Sequence, residues 1–240
     1  MPSLSQLRAL APVSVNPRAA ALMFLSCIIF SITMSVIRHL SASIPPMELV
    51  FFRNFFGLLA LAPLFLRTGF APLRTRRFGL HVLRGLSTLV AMAAFFTAIA
   101  VVPLADAVAL GFTTPLFVTI GAVLFLSETV RLRRWTATAA GFLGAMVVLR
   151  PGFAEVSVFS LLLLVSAAAV ACSVILIKIL SRTESVRSII AYMGILLTPA
   201  SLIPALFVWQ WPTLEEFGWL VLLGTLATAG HLCVARSLAL

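Results

Sequence analysis

Eight long apolar runs partition the chain, at residues 19–40, 47–66, 80–102, 104–126, 135–149, 157–180, 187–209 and 216–235, with charge, proline or glycine between them. A helix needs about 20 apolar residues to cross about 30 Å of hydrocarbon, so the pattern predicts eight transmembrane helices, the fifth the shortest. The runs are continuous and do not alternate, which argues against the dyad pattern of a membrane β-barrel. Residues 1–18 form a polar tail with Arg8 and Arg18 and no acid. Two arginines are few for a targeting helix, and the run from Ala19 is too long for a signal-peptide core. The tail therefore reads as cytoplasmic and the run as the first span.

Composition agrees with that pattern. With 62% hydrophobic residues, 10% charged residues and a mean hydropathy of +1.15, a soluble fold could not hide its apolar surface. A net charge of +10 would suggest nucleic acid in a soluble chain. Here the basic residues sit mainly in short loops and set orientation instead. With the N-terminus inside, Arg67, Arg74, Arg76, Arg77, Arg131, Arg133, Arg134, Lys178, Arg182 and Arg187 fall on the cytoplasmic side, against Arg38, Arg53 and Arg150 toward the outside. That bias predicts a multi-pass protein of the plasma membrane, in bacteria the inner membrane, and no nucleic-acid partner. Cys27, Cys172 and Cys233 lie singly in apolar runs and read as packing residues, so neither a metal nor a cofactor is expected. No HExxH, GxSxG or phosphate-binding loop is present, and the few acids are dispersed, so the chain does not read as an enzyme.

The stretch from Phe95 to Trp135 organises the rest. It holds the end of the third span, a minimal turn at Pro103, the fourth span and an arginine-studded loop. Pro115 falls in mid-span, where its ring removes a donor and presses on the carbonyl of Gly111, so the helix is expected to bend or open there. In lipid such a break is tolerated only beside protein or an internal cavity, which predicts a cavity at Gly111, Thr113, Thr114 and Pro115. The two threonine hydroxyls either satisfy the freed backbone or hydrogen-bond a ligand. An internal repeat is also legible. SVIRHLSA at 35–42 aligns with ILIKILSR at 175–182, placing Arg38 on Lys178 and Ser41 on Ser181 at an offset of 140. Five spans separate the two units, and an odd number inverts the second relative to the first.

The runs PLADAVALGFTTPLFV, SETVRLRRW and GFLGAMVVLRPG, in that order, resemble the end of the first repeat of the EamA family in the drug/metabolite transporter superfamily. FFRNFFGLLALAP resembles that family's second span, and GHLCVARSLAL its eighth. The resemblance implies an all-α polytopic fold of two inverted five-helix repeats and secondary-active transport of small organic metabolites by alternating access. Similar members include S-adenosylmethionine uptake proteins, a hint about substrate. On this reading residues 19–150 form the first repeat, and 157–240 a second repeat holding three of its five spans. A non-transporting subunit that needs a partner to complete the bundle is the alternative.

Charges inside spans cost roughly 2.5–3.5 kcal/mol each on insertion scales, so each requires a reason. Arg53, two turns into the second span, is the sharpest candidate for a substrate-facing or gating charge, with Glu48 or Asp106 as candidate partners, although a structural ion pair that locks helices, or snorkelling, explains it equally. Arg38 and Lys178, at opposite membrane faces by the repeat, suit a pair of gating charges, although snorkelling at helix ends serves equally. Asp106 reads as a first-turn charge. The neighbours Phe51, Phe52, Phe55 and Phe56 read by default as lipid-facing, with lining of an apolar pocket or stacking on a cationic ligand as the alternative for part of the set. Ala137, Gly141 and Ala145 recur every four residues, a close-packing face either within the bundle or between the protomers of a homodimer.

Overall fold

The computed structural model describes residues 16–68, 75–126, 132–149 and 157–238. Among these residues the chain is all helical and contains no strand. Nine helices follow in order: α1 Pro17–Leu40, α2 Pro46–Thr68, α3 Phe78–Ile99, α4 Leu104–Gly111, α5 Thr114–Leu126, α6 Leu132–Leu149, α7 Val158–Leu180, α8 Val186–Leu206 and α9 Leu214–Leu238. Six stretches are long and apolar enough to cross a membrane: α1, α3, α4 with α5, α7, and most of α8 and α9. The protein is a multi-pass membrane protein.

Local chemistry sets the helix ends. The Asn16 side chain accepts a hydrogen bond from the Arg18 N–H, and Pro17, which has no N–H to satisfy, fills the first helical position. Ser157 and Ser185 cap α7 and α8 in the same way, accepting from the N–H groups of Ser160 and Ser188. The fifth run was expected to begin at residue 135. Its helix starts at Leu132 and so takes in Arg133 and Arg134.

The fourth run is interrupted, but one turn before the proline that betrays it. α4 ends at Gly111, Phe112 and Thr113 form a turn, and Pro115 enters the first turn of α5. The Thr113 N–H still reaches the Leu110 carbonyl at 3.0 Å, and the Thr113 hydroxyl donates to that oxygen as well, at 2.6 Å. The next ladder begins with Leu116 N–H to the Thr113 carbonyl at 3.0 Å. A proline costs least in a first turn, so the chain closes one helix early and starts another around it.

The turns after α1 and α7 adopt one conformation. Ser41 N–H donates to Ile37 and Ser181 N–H to Ile177, at 2.9 and 2.8 Å; Ile44 N–H and Glu184 N–H reach Leu40 and Leu180 at 2.9 and 2.8 Å. Each serine hydroxyl also donates to the carbonyl three residues back, Arg38 or Lys178. Buried polar positions recur at the same offset of 140, Ser26 with Ser166 and Thr33 with Ser173.

α3 packs chiefly on α7, α9 on α1 and α2, and α2 on α8, while α5 rests on α7. Lipid tails are as apolar as leucine, so such contacts form through close approach of small residues and through hydrogen bonds. α9 and α2 nearly touch at Gly224 and Gly57: a Cβ on Gly224 would stand 2.5 Å from Phe56 Cβ and 2.9 Å from the Gly57 nitrogen. Thr228 Oγ1 donates across this seam to the Gly57 carbonyl at 3.2 Å. On the α3–α7 seam Ser166 donates to the Ala91 carbonyl at 2.8 Å, and the Thr88 and Ser173 hydroxyls are 2.9 Å apart.

The phenylalanine set departs from expectation. Phe51, Phe52 and Phe56 are buried, and Phe55 alone of the four is exposed. Their face meets Trp209, 5.5 Å from Phe52, and Phe217, 5.4 Å from Phe56, between ring centroids. An apolar face suits lipid and protein equally, so composition could not choose between them.

Gly224→Val should lower stability by about 1–3 kcal/mol, the usual cost of forcing atoms into a filled contact. Gly218→Ala, whose added Cβ meets nothing within 4 Å, should be close to neutral. Thermal unfolding in detergent compares the two, and equal melting temperatures would refute the close α2–α9 seam.

Candidate functional site

Arg53 projects from α2 to a point where four helices converge. Its Nη1 donates to Asn54 Oδ1 at 3.2 Å and approaches the Met92 sulfur of α3 at 3.7 Å. Its Nη2 lies 3.4 Å from Nε2 of His231 on α9. A guanidinium can only donate, so that imidazole nitrogen accepts. Asn54 is held in place by its own Nδ2, which donates to the Val50 carbonyl at 2.8 Å. Phe30 of α1 meets His231 edge to face, with centroids 5.2 Å apart.

The carboxylates expected beside Arg53 are elsewhere. Glu48 is fully buried in the first turn of α2, where it accepts the Gln210 N–H at 3.1 Å. Asp106 occupies the first turn of α4. Arg53 has an amide oxygen, a thioether and an imidazole around it instead. His231 was not legible as its neighbour, because in sequence it lies close to the end of the eighth run. One clue was available. His231 continues the stripe Leu220, Gly224 and Ala227, all buried, yet it is itself exposed. At this position the described helices leave the stripe uncovered.

A second arginine crosses the bundle from α3. Arg84, 6% exposed, donates from Nη1 to the Ile189 carbonyl of α8 at 2.8 Å and from Nη2 to the Met193 sulfur at 3.1 Å, while its Nε finds no partner among the described residues. One turn earlier His81 is buried and stacked on Tyr192, with ring centroids 4.4 Å apart.

Arg38 joins α1 to the end of α3. Its Nη1 donates to the carbonyls of Ile99 and, at 3.3 Å, Val102. Helix geometry explains this choice. The carbonyl of Ile99 would normally accept from residue 103, which is proline and has no N–H. A cation beside a helix C-terminus also meets the negative end of the dipole. Lys178, its counterpart on α7, is exposed.

The other expected positions are distributed as follows. Thr113 is buried, with its hydroxyl on the Leu110 carbonyl, and Thr114 is half-buried. Gly111 and Pro115 are exposed on one face of the fourth crossing with Val108 and Phe112. Gly141 is exposed, with nothing within 4 Å of an added Cβ, so no described neighbour within the bundle uses that position. The side chains of Ala137 and Ala145 lie outside the described residues. A separate polar cleft opens at the start of α3, lined by Thr75, Arg76, Arg77, Gly79, Leu80, Thr183 and Glu184, and Thr75 Oγ1 donates to Glu184 across it at 2.7 Å.

Comparison with known proteins gives concordant results. Residues 17–150 match the EamA-like transporter family. A riboflavin transporter of Vibrio cholerae is 39% identical over 63% of this chain and 51% of its own length. An S-adenosylmethionine uptake transporter of Rickettsia prowazekii is 32% identical over 84% of this chain and 68% of its own. A pseudopaline exporter of Pseudomonas aeruginosa is 29% identical over 87% and 74%, respectively. The chain thus spans about half the length of two of the riboflavin transporters it matches. A solved crystal structure, 20% identical, superposes with a TM-score of 0.65 over 91% of this chain and 78% of the other, which shows a shared fold.

The exposure of His231 can be probed directly. In a chain whose Cys27, Cys172 and Cys233 are replaced by alanine, His231→Cys should react with a membrane-impermeant maleimide supplied to both faces, and Leu223→Cys, fully buried on the same helix, should not. Equal protection of the two would mean that the bundle is closed around Arg53.

Proposed function

The chain belongs to the EamA-like transporter family, and from that membership we propose that it carries a small organic metabolite across the bacterial inner membrane by alternating access. The observation that supports this most is the meeting of Arg53, Asn54, Met92 and His231 from three helices, with no carboxylate among them. A charge within a span is retained where it faces a bundle interior or a water-filled path, and such a residue marks a solute site by default. In this reading Arg53 is the substrate-facing charge, and the break at Gly111, Thr113, Thr114 and Pro115 gives the fourth crossing a point at which to bend. The relatives named above handle riboflavin, S-adenosylmethionine and pseudopaline, and the solute here belongs to that range of small polar metabolites.

The two units form an inverted pair in this proposal, with the N-terminus cytoplasmic as the loop arginines suggest. Arg38 is then the outer gating charge and Lys178 its inner counterpart. Arg38 suits the role because it bridges α1 to the α3 terminus, two helices that share little other contact. Releasing that bridge would let the pair α1–α9 move relative to α3–α7. Its acceptors are backbone carbonyls, which exist in every state, so opening exchanges Arg38 for water without stranding a partner charge in lipid.

Uptake into liposomes tests the proposal, with radiolabelled riboflavin and S-adenosylmethionine as first probes in a broad metabolite panel. Arg53→Ala should cut flux by about 10- to 100-fold, the weight of a charge-assisted hydrogen bond, while the folded yield stays unchanged. Flux insensitive to Arg53→Ala would exclude that residue from the path. Absence of flux for every solute in the panel would favour a non-transporting subunit that works only with a partner.

A further inference from the structure

The sign of charge inside the bundle restricts what can bind there. Two arginines, Arg53 and Arg84, lie well within helices, and Arg53 stands 3.4 Å from His231. No acid balances them among the described residues. Glu48, Asp106, Glu215 and Glu216 occupy first turns, and Glu184 lies in the turn after α7. Glu128 and Glu155 lie outside the described residues. Around Arg53 every element contributes neutral or basic groups: Asn54 from α2, Met92 from α3, His231 from α9 and Phe30 from α1. Arg84 finds a carbonyl and a thioether, and its Nε is left over.

Such an arrangement is poorly suited to a structural lock. A buried charge that serves only to hold helices together is ordinarily paired with its opposite, because an unpaired one carries a large desolvation cost. A guanidinium whose contacts are as long as 3.2, 3.7 and 3.4 Å, with no carboxylate among them, is instead prepared for an oxyanion, which it binds through two parallel N–H bonds. Met92 is a weak acceptor and the imidazole, at 3.4 Å, a distant one, so a carboxylate or phosphate oxygen would displace both, while Asn54, fixed by Val50, holds Nη1 in place.

We infer that the solute bound at Arg53 carries an anionic group, a carboxylate or a phosphate, docked on the guanidinium, with its remaining body against His231 and Phe30. The inference builds on the transport reading, since it names the class of solute for that same site. It assigns Arg53 to charge selection as well as to affinity. His231 lines the site as an acceptor while Nε2 is unprotonated, and it becomes a further cation when protonated.

The test measures binding, which needs no flux, on the full chain in detergent with two matched pairs: nicotinate against nicotinamide for the carboxylate, and riboflavin 5′-phosphate against riboflavin for the phosphate. In at least one pair the anion should bind about tenfold tighter or more, consistent with a charge-assisted hydrogen bond to Arg. Arg53→Gln should erase that ratio and Arg53→Lys should keep part of it. His231→Glu, which sets a carboxylate against Arg53, should erase it without removing the arginine, and so covers the case in which Arg53→Gln does not fold. Equal affinities within both pairs, no binding of either anion, or a ratio unchanged by Arg53→Gln would overturn the inference. An anion preference without flux would sink the transport reading alone, and flux without a preference would sink this inference alone.

Discussion

A donor placed in hydrocarbon has no water to fall back on, and the fold is largely the set of solutions to that condition. Apolar burial decides little between neighbouring helices, because leaving lipid for a leucine surface changes almost nothing. Helix identity in the bundle is set instead by polar groups that must find one another and by small residues that let backbones approach. Two arginines show this. Arg38 ties α1 to the end of α3, and Arg84 ties α3 to α8. Serine and threonine do similar work at lower charge on the α3–α7 and α2–α9 seams.

Proline exerts its influence through what it withholds. Pro103 leaves the Ile99 carbonyl without a helical donor, and a guanidinium from another helix fills the vacancy. Pro115 denies a donor to Gly111, and the chain responds by ending α4 and opening α5 around Thr113, whose hydroxyl adds a bond to the Leu110 carbonyl. In both places a local loss of backbone bonding becomes a tertiary or functional feature, as membrane proteins allow where protein or water can receive the freed groups.

The same logic separates the arginines by role. Arg38 rests on carbonyls at a helix end, where the dipole favours a cation. Arg84 is buried across the α3–α8 seam, although with one nitrogen unanswered. Arg53 has the weakest set of acceptors and the most accessible neighbour, and that contrast singles it out. Burial alone would have chosen Arg84.

Much of this protein could be read from residue order. The apolar runs, the break heralded by Pro115 and the repeat of Ser41 at Ser181 follow from helix length and proline geometry, which act locally along the chain, and the cost of charge in lipid draws attention to Arg53 as a charge within a span. Other features needed the assembled bundle: His231 beside Arg53, the carbonyl partners of Arg38, the burial of Phe51, Phe52 and Phe56 under Trp209 and Phe217, and the empty surroundings of Gly141. The physical reason is that a membrane helix is apolar on every side. Its sequence states that it lies in hydrocarbon, whereas the face that meets another helix is chosen by contacts with residues tens to hundreds of positions away.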